Sequence, residues 1–369
     1  MISDRCQVRV CGLCGLRAHL LASDGPFSSE SKAMTVDNHT IRLLPHGGHF
    51  ECAPDQTILD AAVAAGYWLP HSCRSGTCNS CHLTLLDGAV RYEPLPATAT
   101  SVPEGVCRSC QAFPVSDVVL DAPQVPAEPG QRVVTTGARV LTVERPSHDV
   151  TIIRLQVPSA AGFSFRAGQY ANLLMKDGAT RSYSMANAPD GSGVLEWHVR
   201  RVEGGRFSTH AYDALKPGAL LRIAGPYGTF VLNESDAPVV LLASGTGYAP
   251  IAALLKTHGA ELARRQAVVY WGGRTRQDLY AFEHSQAWEQ EFPGVRIVPV
   301  LSEPQSPWQG RTGLVHQAVL DDLADLSAHE VYACGNPLMI EAARASFTRD
   351  AGLSPDRFFA DAFIIGHSA

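Results

Sequence analysis

Charge is scarce in this chain. Only 18% of its 369 residues are Asp, Glu, Lys or Arg, and the formal balance is −6 with a pI near 6.1. No basic excess exists to meet a phosphate backbone, so nucleic acid is excluded as a main partner. Long apolar runs are missing too. Although 45% of the residues are hydrophobic, no stretch approaches the ~18 uninterrupted apolar residues of a membrane helix. The N-terminus lacks a secretory signal, because Arg9 and Arg17 bracket only a short mixed segment with no small-residue cleavage pattern after it. Nor do the ten cysteines form an even framework: Cys6, Cys11, Cys14 and Cys52 precede a group at 73–81, Cys107 and Cys110 lie close together, and Cys334 stands alone. A disulfide scaffold is thereby excluded, and a cytoplasmic protein with no membrane contact is expected. The length allows two or three domains.

What is there begins with Cys73-Arg-Ser-Gly-Thr-Cys78-Asn-Ser-Cys81, where four and then two residues separate the cysteines. That is the plant-type spacing for three of the four thiolates around a [2Fe–2S] cluster. Zinc sites usually repeat a Cys-x2-Cys unit, and Cys107-Arg-Ser-Cys110 supplies a second one downstream, but the extra cysteine ahead of Cys78, with four residues between, favours the cluster spacing. Ser75, Gly76 and Thr77 let the backbone curl so that its N–H groups face sulfur charge, with Gly76 supplying a positive φ. By position, Cys107 and Cys110 are both candidates for the fourth ligand. Cys6, Cys11 and Cys14 repeat the spacing, but in a segment without periodicity, so they read as chance. Residues 1–33 read as a disordered leader or an upstream start, with a second start at Met34.

From residue 34 the pattern turns regular. Thr40–Leu44 and Gly48–Cys52 alternate like a hairpin, Thr57–Ala65 is an apolar helix ended by Gly66, and strands follow at 82–86, 90–92 and 117–120. This order, with the cysteine loop after the helix, resembles plant-type ferredoxins over residues 34–121. In that family the distal ligand precedes Gln/Arg-Ala-x-Pro, which Cys110-Gln-Ala-Phe-Pro matches and Cys107 does not. The resemblance therefore implies Cys73, Cys78, Cys81 and Cys110 as metal ligands in a β-grasp domain.

Residues 122–136 hold three prolines without periodicity and read as a semi-rigid tether. Over 137–235, strands at 138–143, 150–156, 169–175 and 195–202 suggest an antiparallel barrel. Three motifs stand in it: Arg181-Ser-Tyr183-Ser184, then Gly204-Gly205-Arg-Phe-Ser208 before a helix expected at 210–215, then Gly225-Pro-Tyr-Gly228, expected as a tight turn. A guanidinium suits a pyrophosphate, a tyrosine ring offers a flavin face, and a glycine-opened helix N-terminus can hold phosphate. Together they resemble the FAD-binding motifs of the ferredoxin-NADP reductase superfamily. By that resemblance Arg181, Gly205 and Ser208 would meet the FAD pyrophosphate, Tyr183 the flavin or ribityl, and Ser184 the flavin edge.

Over 236–369 the pattern becomes alternating strand and helix, the mark of a doubly wound parallel sheet. Val239–Ala243 is wholly apolar and delivers Ser244-Gly245-Thr246-Gly247-Tyr-Ala-Pro250 into a helix expected at 251–256. Pro250 stands where a Rossmann fingerprint has Gly or Ala, and no Lys-Ser/Thr pair follows, so a P-loop is excluded. A Gly-x-Gly-x-x-Pro loop resembles the superfamily's pyridine-nucleotide site. Cys334-Gly335-Asn-Pro337 resembles the segment beside the nicotinamide ring, and the ending Asp361-Ala-Phe363 resembles the superfamily's acid-x-aromatic return to the flavin. Arg274 and Arg276 stand where a 2′-phosphate would sit, while Asp278 could instead hold ribose hydroxyls. The resemblance leans to NADPH, with NADH open.

The fold class is thus multidomain α+β and α/β: a β-grasp [2Fe–2S] ferredoxin, an antiparallel β-barrel FAD domain and a doubly wound nucleotide domain. Ferredoxin-first order, Arg-Ser-Tyr-Ser-Met-Ala-Asn187 and Val199-Arg-Arg-Val-x-Gly-Gly-Arg-Phe-Ser208 resemble reductase components of aromatic ring-hydroxylating dioxygenases. That resemblance implies a monomer that carries electrons from NAD(P)H through FAD and the cluster to a Rieske-type oxygenase or its intermediary ferredoxin. Reductases of the dideoxysugar 3-dehydrase and of phenol or methane monooxygenases share the three modules and stay open. An electron-carrier ferredoxin with a degenerate reductase would lack Arg181, Gly247 or Cys334, and all three are present.

Overall fold

The structure is a computed structural model that describes residues 38–71, 74–77, 79–94, 99–305 and 307–363. The leader cysteines, Cys73 and Cys78 lie outside the described residues. Thr57 opens the first helix by accepting the Asp60 N–H at 3.1 Å, and Gly66 closes it at φ 89°. This helix, α1 (Ile58–Ala65), packs on strands β1 (His39–Leu44), β2 (Gly48–Cys52), β3 (His82–Asp87), β4 (Val90–Tyr92), β5 (Val106–Arg108), β6 (Ala112–Pro114) and β7 (Val118–Asp121). The sheet order is β2-β1-β7-β3-β5, with β1 and β7 parallel, which is the β-grasp arrangement. Ile41, Ile58, Leu59, Leu83 and Leu120 form its core.

The second module alternates apolar-in and polar-out residues on β8 (Val134–Glu144), β9 (Val150–Gln156), β10 (Tyr170–Leu174), β11 (Thr180–Ser184) and β12 (Val194–Arg200). It is completed by α2 (Arg206–Asp213) and β13 (Leu220–Tyr227). Strand order β11-β10-β13-β8-β9-β12 is antiparallel, and a bridge between Met185 and Trp197 brings the two edges together as a barrel. Two expectations are corrected here. The helix spans 206–213 rather than 210–215, because Phe207 and Ala211, one turn apart, both turn inward. Gly225-Pro-Tyr is strand rather than turn: Gly225 pairs with Val134 and Tyr227 with Tyr170, and only Gly228, at φ 94°, leaves the sheet.

The third module is β14 (Val239–Ser244), α3 (Tyr248–Arg264), β15 (Val268–Gly273), α4 (Phe282–Glu291), β16 (Arg296–Leu301), β17 (Arg311–Thr312), α5 (Val315–Asp322), β18 (Glu330–Gly335), α6 (Pro337–Asp350) and β19 (Phe358–Ala362). All pairings in its sheet, order β17-β16-β15-β14-β18-β19, are parallel. Apolar cores on both faces explain why β14 reads as an unbroken apolar run. Order reverses at β14, so loops after β14 and β18 flank the topological switch point, where such sheets bind ligands. Helix α3 begins at Tyr248 rather than 251, since Pro250 in a first turn has no intrahelical N–H to lose.

A fully buried arginine ties this module to the segment leading into it. Arg265 donates to the Ala237 and Asn233 carbonyls at 2.7 and 3.1 Å and to Glu330 at 2.8 Å, and Tyr332 adds its hydroxyl to Glu330 at 2.8 Å. Removing one partner would strand a buried charge, whereas an apolar pair of similar volume would not. Arg265→Met is therefore expected to lower stability by about 3–5 kcal/mol, seen as an earlier urea transition of the nucleotide module. Arg265→Met/Glu330→Leu should recover most of that loss.

Candidate functional site

The cluster end is built by pinning two distant cysteines together. Cys81 precedes β3 and Cys110 lies between β5 and β6, yet their sulfurs are 3.2 Å apart. Ser109 makes this possible: its N–H and its hydroxyl both donate to the Cys81 carbonyl at 3.2 Å, while its own carbonyl accepts the Leu59 N–H at the start of α1. Arg108, fully buried, donates to the Thr100 hydroxyl at 2.8 Å, and Thr100 reaches Asn79 at 2.5 Å. Between these braces Gly76 sits at φ 79°, where a Cβ would stand 2.2 Å from the Gln111 side chain. Arg74 and Asn79 also hold positive φ, a costly backbone for non-glycine residues that turns successive N–H groups toward one side. Two adjacent thiols beside such a loop fit an iron–sulfur cluster. Cys107 is fully buried in the same β-grasp core as Cys81 and Cys110, and burial, with Cys81 nearby, pushes its thiol up to about 12.

At the barrel, Ser184 ends β11 and is buried, with its hydroxyl 3.4 Å from the Asp361 carboxylate. Asp361 is delivered by β19, whose parallel register on β18 sets it opposite Cys334. Phe363 follows, its N–H on the Gly335 carbonyl at 2.8 Å. Thus Ser184, Cys334, Asp361 and Phe363, remote in sequence, come to one place. Complete burial and the nearby Asp361 charge push the Cys334 thiol well above its ordinary range, so it stays protonated and serves as a small neutral wall.

Glycine makes the nucleotide loop possible. Gly247 lies so close to β18 that a Cβ would meet the Cys334 carbonyl oxygen at 2.2 Å, and one on Gly335 would meet Ser244 Oγ at 2.5 Å. Gly245 has φ 54° and its carbonyl accepts the Trp271 indole at 3.0 Å. Thr246 is buried beside it, and Pro250 sits inside the first turn of α3. Backbone N–H groups at this helix start face the switch point, a fit for pyrophosphate.

Among the expected FAD residues, Tyr183 packs with tilted rings against Trp197 and Phe207 at 5.2 and 5.6 Å, and Arg181, two positions before it, is partly exposed. The Ser208 hydroxyl accepts the Val202 N–H at 3.1 Å and closes the Gly204–Gly205 loop, next to the first amides of α2, which have no intrahelical partners. Similarly, Asp278 spends its carboxylate on the Arg274 and Thr275 N–H groups and on Arg200, which leaves ribose hydroxyls without that partner. Arg276 pairs with Glu283 and lies over the Phe282 ring at 3.9 Å, whereas the Arg274 side chain is 64% exposed.

One residue was not singled out from the sequence. Arg200 donates to Asp149 at 2.7 Å and Asp278 at 2.9 Å, and its third nitrogen lies 2.6 Å from where a Gly245 Cβ would stand. Its place on β12 beside Val199 was a cue, but only folding brings β12 to the loop.

The fold and these sites define an iron–sulfur flavoprotein oxidoreductase. Family profiles match in the same order: the 2Fe-2S iron-sulfur cluster binding domain over residues 41–115, the oxidoreductase FAD-binding domain over 138–232 and the oxidoreductase NAD-binding domain over 241–345. The chain belongs to the family of fused ferredoxin–reductase proteins, with [2Fe–2S], FAD and a nicotinamide nucleotide as cofactors. It is 39% identical over 325 residues to the CDP-6-deoxy-L-threo-D-glycero-4-hexulose-3-dehydrase reductase of Yersinia pseudotuberculosis, covering 88% of this chain and 98% of that one. It is 34% identical over 337 residues to reductase component 2 of terephthalate 1,2-dioxygenase from Comamonas sp., covering 89% and 98%. The crystal structure of the Amycolatopsis cytochrome P450 reductase GcoB superposes with a TM-score of 0.74 at 33% identity, covering 88% and 98%.

Gly247→Ala tests the close approach. The added methyl must push the loop off β18, so reduction of the bound flavin by NAD(P)H should fall at least tenfold while FAD and iron contents stay at wild-type levels. Wild-type reduction rates would show that the loop needs no such contact.

Proposed function

We propose that this protein oxidises NAD(P)H and passes electrons one at a time to a separate protein, as the reductase component of a Rieske-type aromatic dioxygenase, with terephthalate as the aromatic substrate class. The observation that carries the redox part is the convergence of Ser184, Cys334, Asp361 and the Gly245–Gly247 loop at the switch point. When bound, FAD accepts a hydride and releases single electrons, which joins a two-electron donor to a one-electron cluster. The chain supplies the rest. Gly245, Thr246 and Gly247 with the start of α3 hold the dinucleotide phosphates, and Arg200 lies over the same loop. Cys334 and Gly335 offer the nicotinamide a wall without bulk. Ser184 and Asp361 place a hydroxyl and a carboxylate at the flavin edge, where a proton must be held, and Phe363 covers the ring. Arg181 and the α2 amides hold the FAD pyrophosphate, with Tyr183 beside the flavin. Cys81 and Cys110, with Cys73 and Cys78 from the same loop, hold the cluster from which electrons leave. The lean to NADPH rests on the resemblance, because Arg274, 64% exposed and 3.8 Å from Asp278, suits either nucleotide.

For the partner, the relatives support an oxygenase. Those at 33–35% identity serve terephthalate 1,2-dioxygenase, phenol hydroxylase, an aromatic O-demethylase and xylene/toluene monooxygenase. A second reading has its own support: the 39% identity to the Yersinia hexulose-dehydrase reductase favours a sugar-nucleotide dehydrase as acceptor.

Reconstitution separates them. The purified reductase, mixed with terephthalate dioxygenase and supplied with NADH or NADPH, should form the aromatic cis-diol, faster with NADPH. Electron delivery to the dehydrase alone would overturn the dioxygenase reading, and equal or faster turnover with NADH would overturn the NADPH preference.

The ligand assignment is checked separately. Cys110→Ser should abolish the [2Fe–2S] absorption and cytochrome c reduction while ferricyanide reduction through FAD persists, and Cys107→Ser should spare all three. The reverse pattern would make Cys107 the ligand.

A further inference from the structure

A row of polar side chains, half-buried at Lys256 and buried at Glu196, His198 and Tyr280, crosses from the flavin barrel to the nucleotide module, and none of the cofactor contacts described above uses it. Lys256 on α3 donates to the Ala186 carbonyl at 2.9 Å and to Glu196 Oε1 at 3.0 Å. Ala186 lies just past Ser184 in the chain, on the segment that closes the barrel. Glu196, on β12 with its side chain 8% exposed, also accepts Arg154 Nε at 2.8 Å and lies 3.3 Å from His198 Nε2. His198 Nδ1 lies 2.7 Å from the Tyr280 hydroxyl. A carboxylate only accepts, so Nε2 carries the proton toward Glu196 and Nδ1 accepts from Tyr280. Burial, which lowers the His198 pKa, keeps the ring in that neutral form. Tyr280 then stands edge-on to Trp271 at 5.4 Å, and Trp271 holds the Gly245 carbonyl at 3.0 Å and stacks on Tyr248 at 4.1 Å. An unbroken chain of directed contacts thus runs from the flavin strand to the first glycine of the nucleotide loop.

Apolar contacts between two modules tolerate small slides, because they have no direction. A buried carboxylate shared by an ammonium, a guanidinium and an imidazole does not, because only one arrangement satisfies all of them. We propose that Lys256, Glu196, His198 and Tyr280 are positioning residues that lock the nucleotide loop in register with the flavin strand and so set how closely the nicotinamide approaches the flavin. The lock rests on the NAD(P)H–flavin reading above and adds to it the residues that fix the geometry. Hydride transfer is steep in distance: a misplacement of about 1 Å can cost ~10²-fold in rate. A loosened lock should therefore slow the chemical step at saturating nucleotide more than it weakens nucleotide binding.

The test uses the holoenzyme with Lys256→Met, Lys256→Arg and Tyr280→Phe. Flavin bleaching is followed anaerobically by stopped flow with NADH, NADPH and their 4-deuterated forms, and amide hydrogen exchange is measured with no nucleotide present. Lys256→Met should bleach about 10- to 100-fold more slowly with an enlarged deuterium isotope effect and less than a threefold change in KM. Lys256→Arg should restore most of the rate, and Tyr280→Phe should fall between. Exchange at 184–186 and 245–248 should rise in Lys256→Met and Tyr280→Phe, with FAD and iron contents unchanged. Tyr280→Phe loses only a hydroxyl, so it decides the matter if Lys256→Met does not fold. Wild-type bleaching with wild-type exchange in Tyr280→Phe would overturn the lock. A wild-type protein that neither nucleotide bleaches would overturn the redox reading, while the exchange experiment still judges the lock.

Discussion

The contact on which the site depends is a backbone approach with no room for a side chain. Gly247 rests against the Cys334 carbonyl, and Gly335 rests against Ser244, so the ends of β14 and β18 interlock through bare backbone on both sides. The Asn336 N–H on Ser244 Oγ at 2.8 Å adds a directed bond to the same joint. Because β19 pairs in parallel with β18, fixing Cys334 also fixes Asp361, and Asp361 reaches across to Ser184 on the barrel. One close packing of glycine thereby positions residues from two modules. Any larger residue at 247 or 335 would move the nucleotide loop and the flavin-side carboxylate together.

Buried charge elsewhere in the molecule follows the same logic of joints. Arg265–Glu330 fastens α3 and β18 to the segment 233–237, Arg200 spans Asp149 of the barrel and Asp278 of the nucleotide module, and Lys256–Glu196 joins α3 to β12. Each is a place where modules meet rather than the middle of a core. Hydrophobic burial holds each module together without direction, and the paired charges add a single preferred arrangement at the seams. For Glu196, burial alone would raise the carboxyl pKa, but the His198 hydrogen bond and the Lys256 charge outweigh it and hold it below its ordinary range. That contribution to stability is complete above the unfolded carboxyl value and fades as pH falls toward the folded one.

How much of this was legible in the sequence depended on whether the signal was local. The cysteine spacing at 73–81, the Gly245-Thr-Gly247 loop after an apolar strand and the Cys334-Gly335 turn are short motifs, and the residues that do the chemistry stand next to the residues that shape the backbone. Three module folds and their order could be read that way, with helix ends displaced where Tyr248 and Phe207 pack inward. Arg200 and the Lys256–Glu196–His198–Tyr280 row could not. Apart from Glu196 and His198, two positions apart on one strand, their partners lie 51 to 82 positions apart in the chain, and an arginine or glutamate on an alternating strand gives no sign of which residue it will meet. The loop contact of Ser208 was out of reach for a related reason: its motif was visible, but the bond its hydroxyl accepts from Val202 depends on the Gly204–Gly205 backbone.

The same distinction explains why the acceptor protein is harder to read than the redox chemistry. Relatives at 33–39% identity over nearly the whole chain serve a sugar-nucleotide dehydrase and several oxygenases. In this chain the glycine joints and the cysteine loop bear only on how electrons move inside the protein. In the reading proposed above, the acceptor meets the outside of the cluster module, where exposed side chains can vary at little cost to stability. Leu86 and Val115, roughly half exposed on that module, are examples of residues that the core does not explain. On that same reading the choice of acceptor belongs to this surface, and changing its exposed residues should redirect electrons without altering hydride transfer.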